Sequence, residues 1–103
     1  MTRYMVRVEL PGKQPSDYEH LHKSMRRAGY YRVIEGRKGW WHLPHAEYTC
    51  LADGWTSERI RDEVLALARS QHRRARVFAC VADTAAWTNL RPVTDDDPAP
   101  DDT

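Results

Sequence analysis

Tyr4-Met5-Val6-Arg7-Val8-Glu9-Leu10, then Pro11-Gly12-Lys13-Gln14-Pro15, then Ser16-Asp17-Tyr18-Glu19 and on to Gly29: in these 26 residues an alternating segment passes through a break into a segment of helical period. Tyr4, Val6, Val8 and Leu10 alternate with Met5, Arg7 and Glu9, which predicts a strand with one face in the core. Proline and glycine end it. Ser16 and Glu19 have the S-x-x-E spacing of a capping box, in which each side chain satisfies the other's free backbone donor. Tyr18, Leu21, Met25 and Ala28 then recur on one helical face, and Gly29 offers a left-handed stop.

Working outward, Tyr30 to Glu35 reads as a second strand, and Gly36-Arg37-Lys38-Gly39 as the turn of a hairpin. The third strand runs from Trp40 to Leu43 and on through Ala46 to Leu51. Pro44 within it removes a ladder donor and marks an edge, a bulge or a break. Asp53-Gly54 turns the chain, and Thr56 caps a second helix with the stripe Ile60, Val64, Leu67 and Ala68 and a basic opposite face of Arg59, Arg69 and Arg73. Val77 to Val81 is a short apolar fourth strand, and Trp87, Leu90 and Val93 suggest a last packed segment. This order predicts an α+β protein of the ferredoxin-like βαββαβ type: a four-stranded antiparallel sheet with two helices on one face and the other face open.

A chain of 103 residues is the length of one domain, so a single domain rather than a two-domain enzyme is expected. No run approaches the roughly 20 apolar residues of a spanning helix, and Met1 leads into the first strand without an apolar signal core, so no membrane association and a cytoplasmic location are expected. Cys50 and Cys80 lie too far apart for a chelating or redox pair and read as buried thiols. Residues 92–103 hold five aspartates and no basic residue and read as a disordered acidic tail, separate from a domain at 1–91. That body carries 16 basic against 10 acidic groups, and its charge of +6 suits an anionic partner.

Strand alternation places Arg7 and Glu9 on the open face together with Arg76, Phe78 and Cys80. Arg7, Arg76 and Phe78, joined by Trp40, Trp41 and Lys38 from the hairpin, match what single-stranded RNA requires: bases stack on aromatic rings while cations hold phosphates. The same open face also suits a homodimer or a covering segment. The glycine and aromatic spacing of an RNA recognition motif is absent from Arg76–Val81. Five histidines, His20, His22, His42, His45 and His72, lack the spacing of a metal site, and no metal or other cofactor is expected. Metal-independent RNA cleavage needs a base for the 2′-hydroxyl, an acid for the leaving oxygen and a cation. His22, His45 or His42, with Arg26 or Arg7, are of the right types. His22 lies at the flank of the apolar stripe, one turn before Arg26, where burial and a neighbouring cation lower an imidazole's pKa and suit it to act as a base.

Val6-Arg-Val-Glu-Leu10, Asp17-Tyr-Glu-His-Leu-His22 with Met25 and Gly29-Tyr30, Leu43-Pro-His-Ala-Glu-Tyr48, and Trp87-x-x-Leu90-x-Pro-Val93 together resemble the small bacterial and phage proteins of the GhoS-type endoribonuclease antitoxin family. The resemblance runs over residues 4 to 93. It implies a ferredoxin-like fold and the type V toxin–antitoxin activity of the namesake, sequence-selective cleavage of a toxin messenger RNA. It also sets His22 at the place of a basic residue implicated in the namesake's first helix, an arginine there. These readings lead to His22 and Arg26 as catalytic residues and RNA as partner. The other reading is a non-catalytic interaction module, such as a phage-encoded inhibitor of a host defence complex or a dimeric regulatory protein, whose acidic tail mimics nucleic acid or masks the basic body.

Overall fold

The computed structural model describes residues 1–100, so Asp101 and Asp102 of the acidic tail lie outside the described residues. The protein is α+β, with two helices and antiparallel strands throughout. β1 (Thr2–Glu9) is the centre of a three-stranded sheet, flanked by β4 (Glu47–Ala52) and β5 (Arg76–Val81). β2 (Val33–Gly36) and β3 (Gly39–His42) form a separate hairpin. The sheet thus differs from the expected four-stranded one. The backbone of the second strand pairs with β4 through one bridge, Tyr31 to Thr49, before the chain departs into the hairpin. Pro44 is a break, and the single strand expected from Trp40 to Leu51 is two, β3 and β4.

Helices α1 (Glu19–Arg27) and α2 (Ser57–Arg69) cover one face. Tyr4, Val6 and Val8 of β1 and Tyr48 and Cys50 of β4 meet Leu21 and Met25 of α1 and Ile60, Val64 and Ala68 of α2 in one buried cluster. Full burial of each large apolar side chain contributes about 1.5–3 kcal/mol, which is what commits both amphipathic helices to this face. The cap lies two residues earlier than the expected Ser16–Glu19 box: a 3-10 turn (Pro15–Tyr18) precedes α1, and Asp17 Oδ2 accepts the Gln14 N–H at 2.9 Å. Pro15 stands where a free donor would otherwise be wasted. The helix stops as expected: Gly29 takes φ +94°, its N–H donates to Arg26 O, and the Tyr30 N–H donates to Met25 O. Thr56 Oγ1 accepts the Arg59 N–H at the start of α2.

The opposite, outer face is only partly open. Thr49, an outward residue of β4, is buried, and its hydroxyl donates to Val33 O at 2.6 Å. Arg3, outward on β1, reaches Glu35 O. The hairpin therefore lies across the end of this face where β1 begins. Trp41 and Trp87 close over Gly36, whose missing side chain is required: an added Cβ would stand 2.8 Å from Trp87 Cζ2 and 3.2 Å from Trp41 Nε1. Gly36→Ala should cost about 1–3 kcal/mol in urea unfolding, because both indoles must shift, whereas Gly12→Ala meets no neighbour and costs only its backbone strain.

The boundary expected at residue 91/92 does not divide the structure. Residues 91–93 run along β3, with the His42 N–H donating to Arg91 O and the Val93 N–H to Trp40 O, both at 2.8 Å. Pro92 lies between these two bonds, so its missing donor costs nothing. Asp97 then folds back: its carbonyl oxygen lies 2.9 Å from His42 Nε2, and its carboxylate 3.5 Å from the same nitrogen and 3.6 Å from Arg91 Nε. The first part of the acidic segment is thereby strapped to the hairpin.

Candidate functional site

Where β4 begins, four side chains gather at its edge. Ala46 adopts φ +66°, a left-handed conformation that costs a residue with a Cβ about 1 kcal/mol, and its carbonyl accepts the Val8 N–H at 3.0 Å. This turn holds the exposed His45 against Tyr18, with ring centroids 4.5 Å apart and edge to face, and against His22 at 5.7 Å. Behind them His22 is only 3% exposed, and its Nδ1 lies 2.7 Å from Tyr48 Oη. With the Tyr48 hydroxyl donating, Nδ1 accepts and the ring proton resides on Nε2.

Burial first, and then the charges of Arg32 and His45, push the His22 pKa down to about 4. His45 is lowered too, by burial first and then by Arg32. Both imidazoles are therefore neutral at pH 7, and each can accept a proton but has none to give as an acid. The cation of this group is Arg32, not Arg26. Arg26 lies 4.5 Å over the Tyr31 ring, and its Nε is buried without a hydrogen-bond partner among the described residues. The lowered pKa expected of His22 is present, but its main cause is burial rather than the Arg26 charge.

The outward residues follow the predicted alternation. Arg7 stands opposite Phe78, and Glu9 opposite Arg76, across the β1–β5 ladder. Together they line a shallow cleft of about 200 Å³, with Phe78 68% exposed. Both arginines are occupied: Arg7 pairs with Glu47 at 3.7 Å and Arg76 with Glu9. Trp40 does not join them. It lines a second groove beside Arg3, four residues from Arg7 along β1 and so about 13 Å away. Trp41 is half-buried against Gly36, and Lys38 is exposed at the hairpin tip. His22 lies on the helix-covered side, across the sheet from Arg7, Arg76 and Phe78. The expected catalytic and binding residues thus form three groups rather than one.

Arg32 and Tyr48 escaped the sequence reading. Tyr48 was legible as an inward residue of a strand, but nothing in the spacing joins Arg32 to His22. Cys50 is buried, and burial with the nearby Glu63 raises its thiol pKa to about 11; Cys80 is half-buried on the outer face rather than in the core. Among the described residues no three histidine, cysteine or carboxylate groups stand close enough to hold a metal ion, and no helix is long and apolar enough to cross a membrane. No family model, curated protein or solved structure matches this chain.

Proposed function

We propose that the protein binds single-stranded RNA and cleaves it without a metal, as an endoribonuclease antitoxin of the GhoS type does, and that it acts in the cytoplasm. The observation that carries this reading is the His45–His22–Tyr48 group with Arg32 alongside. An exposed neutral imidazole with the Arg32 cation near it supplies the base that a 2′-hydroxyl requires and a charge for the phosphorane oxygens, while the 5′-oxygen leaves as its bond to phosphorus breaks and takes its proton from water. His45 takes the role of base, because His22 is too deeply buried to touch a substrate. His22 is a positioning residue, packed against the His45 ring and oriented by Tyr48. The strand order β5-β1-β4, with Tyr31 bridged at the far edge of β4, is compatible with a ferredoxin-like sheet reduced at its second strand, and this supports the same family reading.

The test is a labelled single-stranded RNA pool incubated with and without a chelator. Products ending in 2′,3′-cyclic phosphate, formed equally in both, are expected. Intact RNA after hours would end the catalytic reading, and an affinity indifferent to salt would end the RNA-binding one, since phosphate contacts weaken as salt rises.

One observation favours an interaction module instead. Arg7 and Arg76 are already paired with carboxylates while Phe78 stands free, which suits a protein partner or a second copy better than a phosphate backbone. Light scattering that shows a dimer broken by Phe78→Glu would support this second reading.

A further inference from the structure

Arg3 projects from the outer face of β1, and its guanidinium is held from two sides. Nε donates to Ala82 O at 2.9 Å and Nη1 to Glu35 O at 3.1 Å. Both acceptors are neutral carbonyls, so the cation is fixed in place without its charge being cancelled by them. Beside it lies a groove of about 500 Å³ between the hairpin and the β4 end of the sheet. This is within the 300–1,000 Å³ usual for small-ligand sites. Two aromatic rings line it half-exposed, Tyr31 at 40% and Trp40 at 46%. The Arg26 guanidinium stacked on Tyr31 restrains that ring. Glu35 and Asp83 also line the groove and contribute carboxylate acceptors.

A fixed cation, flat apolar rings and carboxylates in one cleft fit one ligand class. A phosphate takes the guanidinium, a base takes the ring faces, and an exocyclic amine takes a carboxylate. We propose that this groove binds a nucleotide, its base against Trp40 and Tyr31 and its phosphate on Arg3. Bases with an exocyclic amine are preferred over uracil, which has none to offer Glu35 or Asp83. The groove is separate from the His45 group. The inference rests on the RNA reading only in taking the nucleotide to be part of a strand.

Calorimetric titration of the full chain with cytidine monophosphate, uridine monophosphate and a cytidine tetranucleotide tests it. Saturable binding of the cytidine nucleotide is expected, about tenfold tighter than the uridine one. Trp40→Leu should weaken it about tenfold or more, and Trp40→Phe should restore it, because base stacking needs the ring rather than the indole. Tyr31→Leu gives the same answer if the Trp40 variant fails to fold. A tetranucleotide tighter than the monomer supports a strand in the groove. Equal affinities keep the nucleotide site and overturn the RNA-binding reading. No saturable heat from any of the three, or unchanged binding in folded Trp40→Leu, overturns the groove itself, whatever the RNA cleavage assay shows.

Discussion

Acidification from neutral pH to pH 4 is expected to remove about 3 kcal/mol of folding stability through one side chain, His22. In the folded protein this imidazole takes up a proton only near pH 4, whereas an unfolded histidine does so near 6.5. Between those values the unfolded chain binds a proton that the fold refuses, so stability is complete above pH 6.5 and falls as the pH drops towards 4. The cause is burial of a ring whose Nδ1 is already committed to the Tyr48 hydroxyl, within reach of the Arg32 charge. His45 adds a smaller contribution of the same sign, because it is exposed. Urea unfolding of wild type and His22→Gln at pH 7 and pH 4 isolates the term, since the carboxylates titrate alike in both. The pH dependence should be about 3 kcal/mol shallower in the variant, and equal slopes would mean that His22 is not held neutral by the fold.

In the proposed cleavage reaction, His45→Ala is expected to lower the rate constant about 100-fold or more, the usual contribution of a positioned base. Its lowered pKa also sets the pH profile: the acid limb should fall below pH 6.5, because the ring remains an available base until it is protonated. Arg32→Gln should slow cleavage and move that limb upward, since the Arg32 charge is one of the two causes of the low pKa. Arg32→Lys keeps the charge and should keep the limb. A merely structural Arg32 would change the yield of folded protein and leave the limb in place. If His45→Ala cleaves as well as wild type, the base lies elsewhere and the proposed chemistry is wrong.

The three groups of polar and aromatic residues divide the molecule in a way that joins fold to function. The His45 group sits at the edge where α1 meets β4, the Arg7–Phe78 cleft at the uncovered end of the outer face, and the Arg3 groove under the hairpin. The strap formed by residues 91–97 braces the hairpin from the other side, and so fixes Trp40 in the groove wall. The acidic segment thereby has a place in the fold as a brace, through backbone bonds to β3 and one carboxylate on His42.

How much of this was legible beforehand depends on which forces each feature obeys. The alternation of Tyr4, Val6 and Val8, the stripe Ile60–Val64–Ala68, the Thr56 cap and the Gly29 stop are local, with periods set by backbone geometry and by the cost of exposing apolar surface, so the first strand, both helices and their inward faces could be read, whereas the third and fourth strands were read as one. The outward positions of Arg7, Arg76 and Phe78 followed by the same alternation. The hairpin's departure from β4 could not be read, because it depends on Trp41 and the distant Trp87 packing together over Gly36. Nor could the strap, since backbone donors and acceptors pair regardless of a composition that reads as solvated. The sequence by itself determined the α+β class and the two faces of the sheet. Only the tertiary structure decided that His22 is buried behind His45, that Arg32 rather than Arg26 is its cation, and that Trp40 faces Arg3 instead of Arg7. Pairing between residues far apart in the chain follows from where whole elements pack, and no local period encodes it.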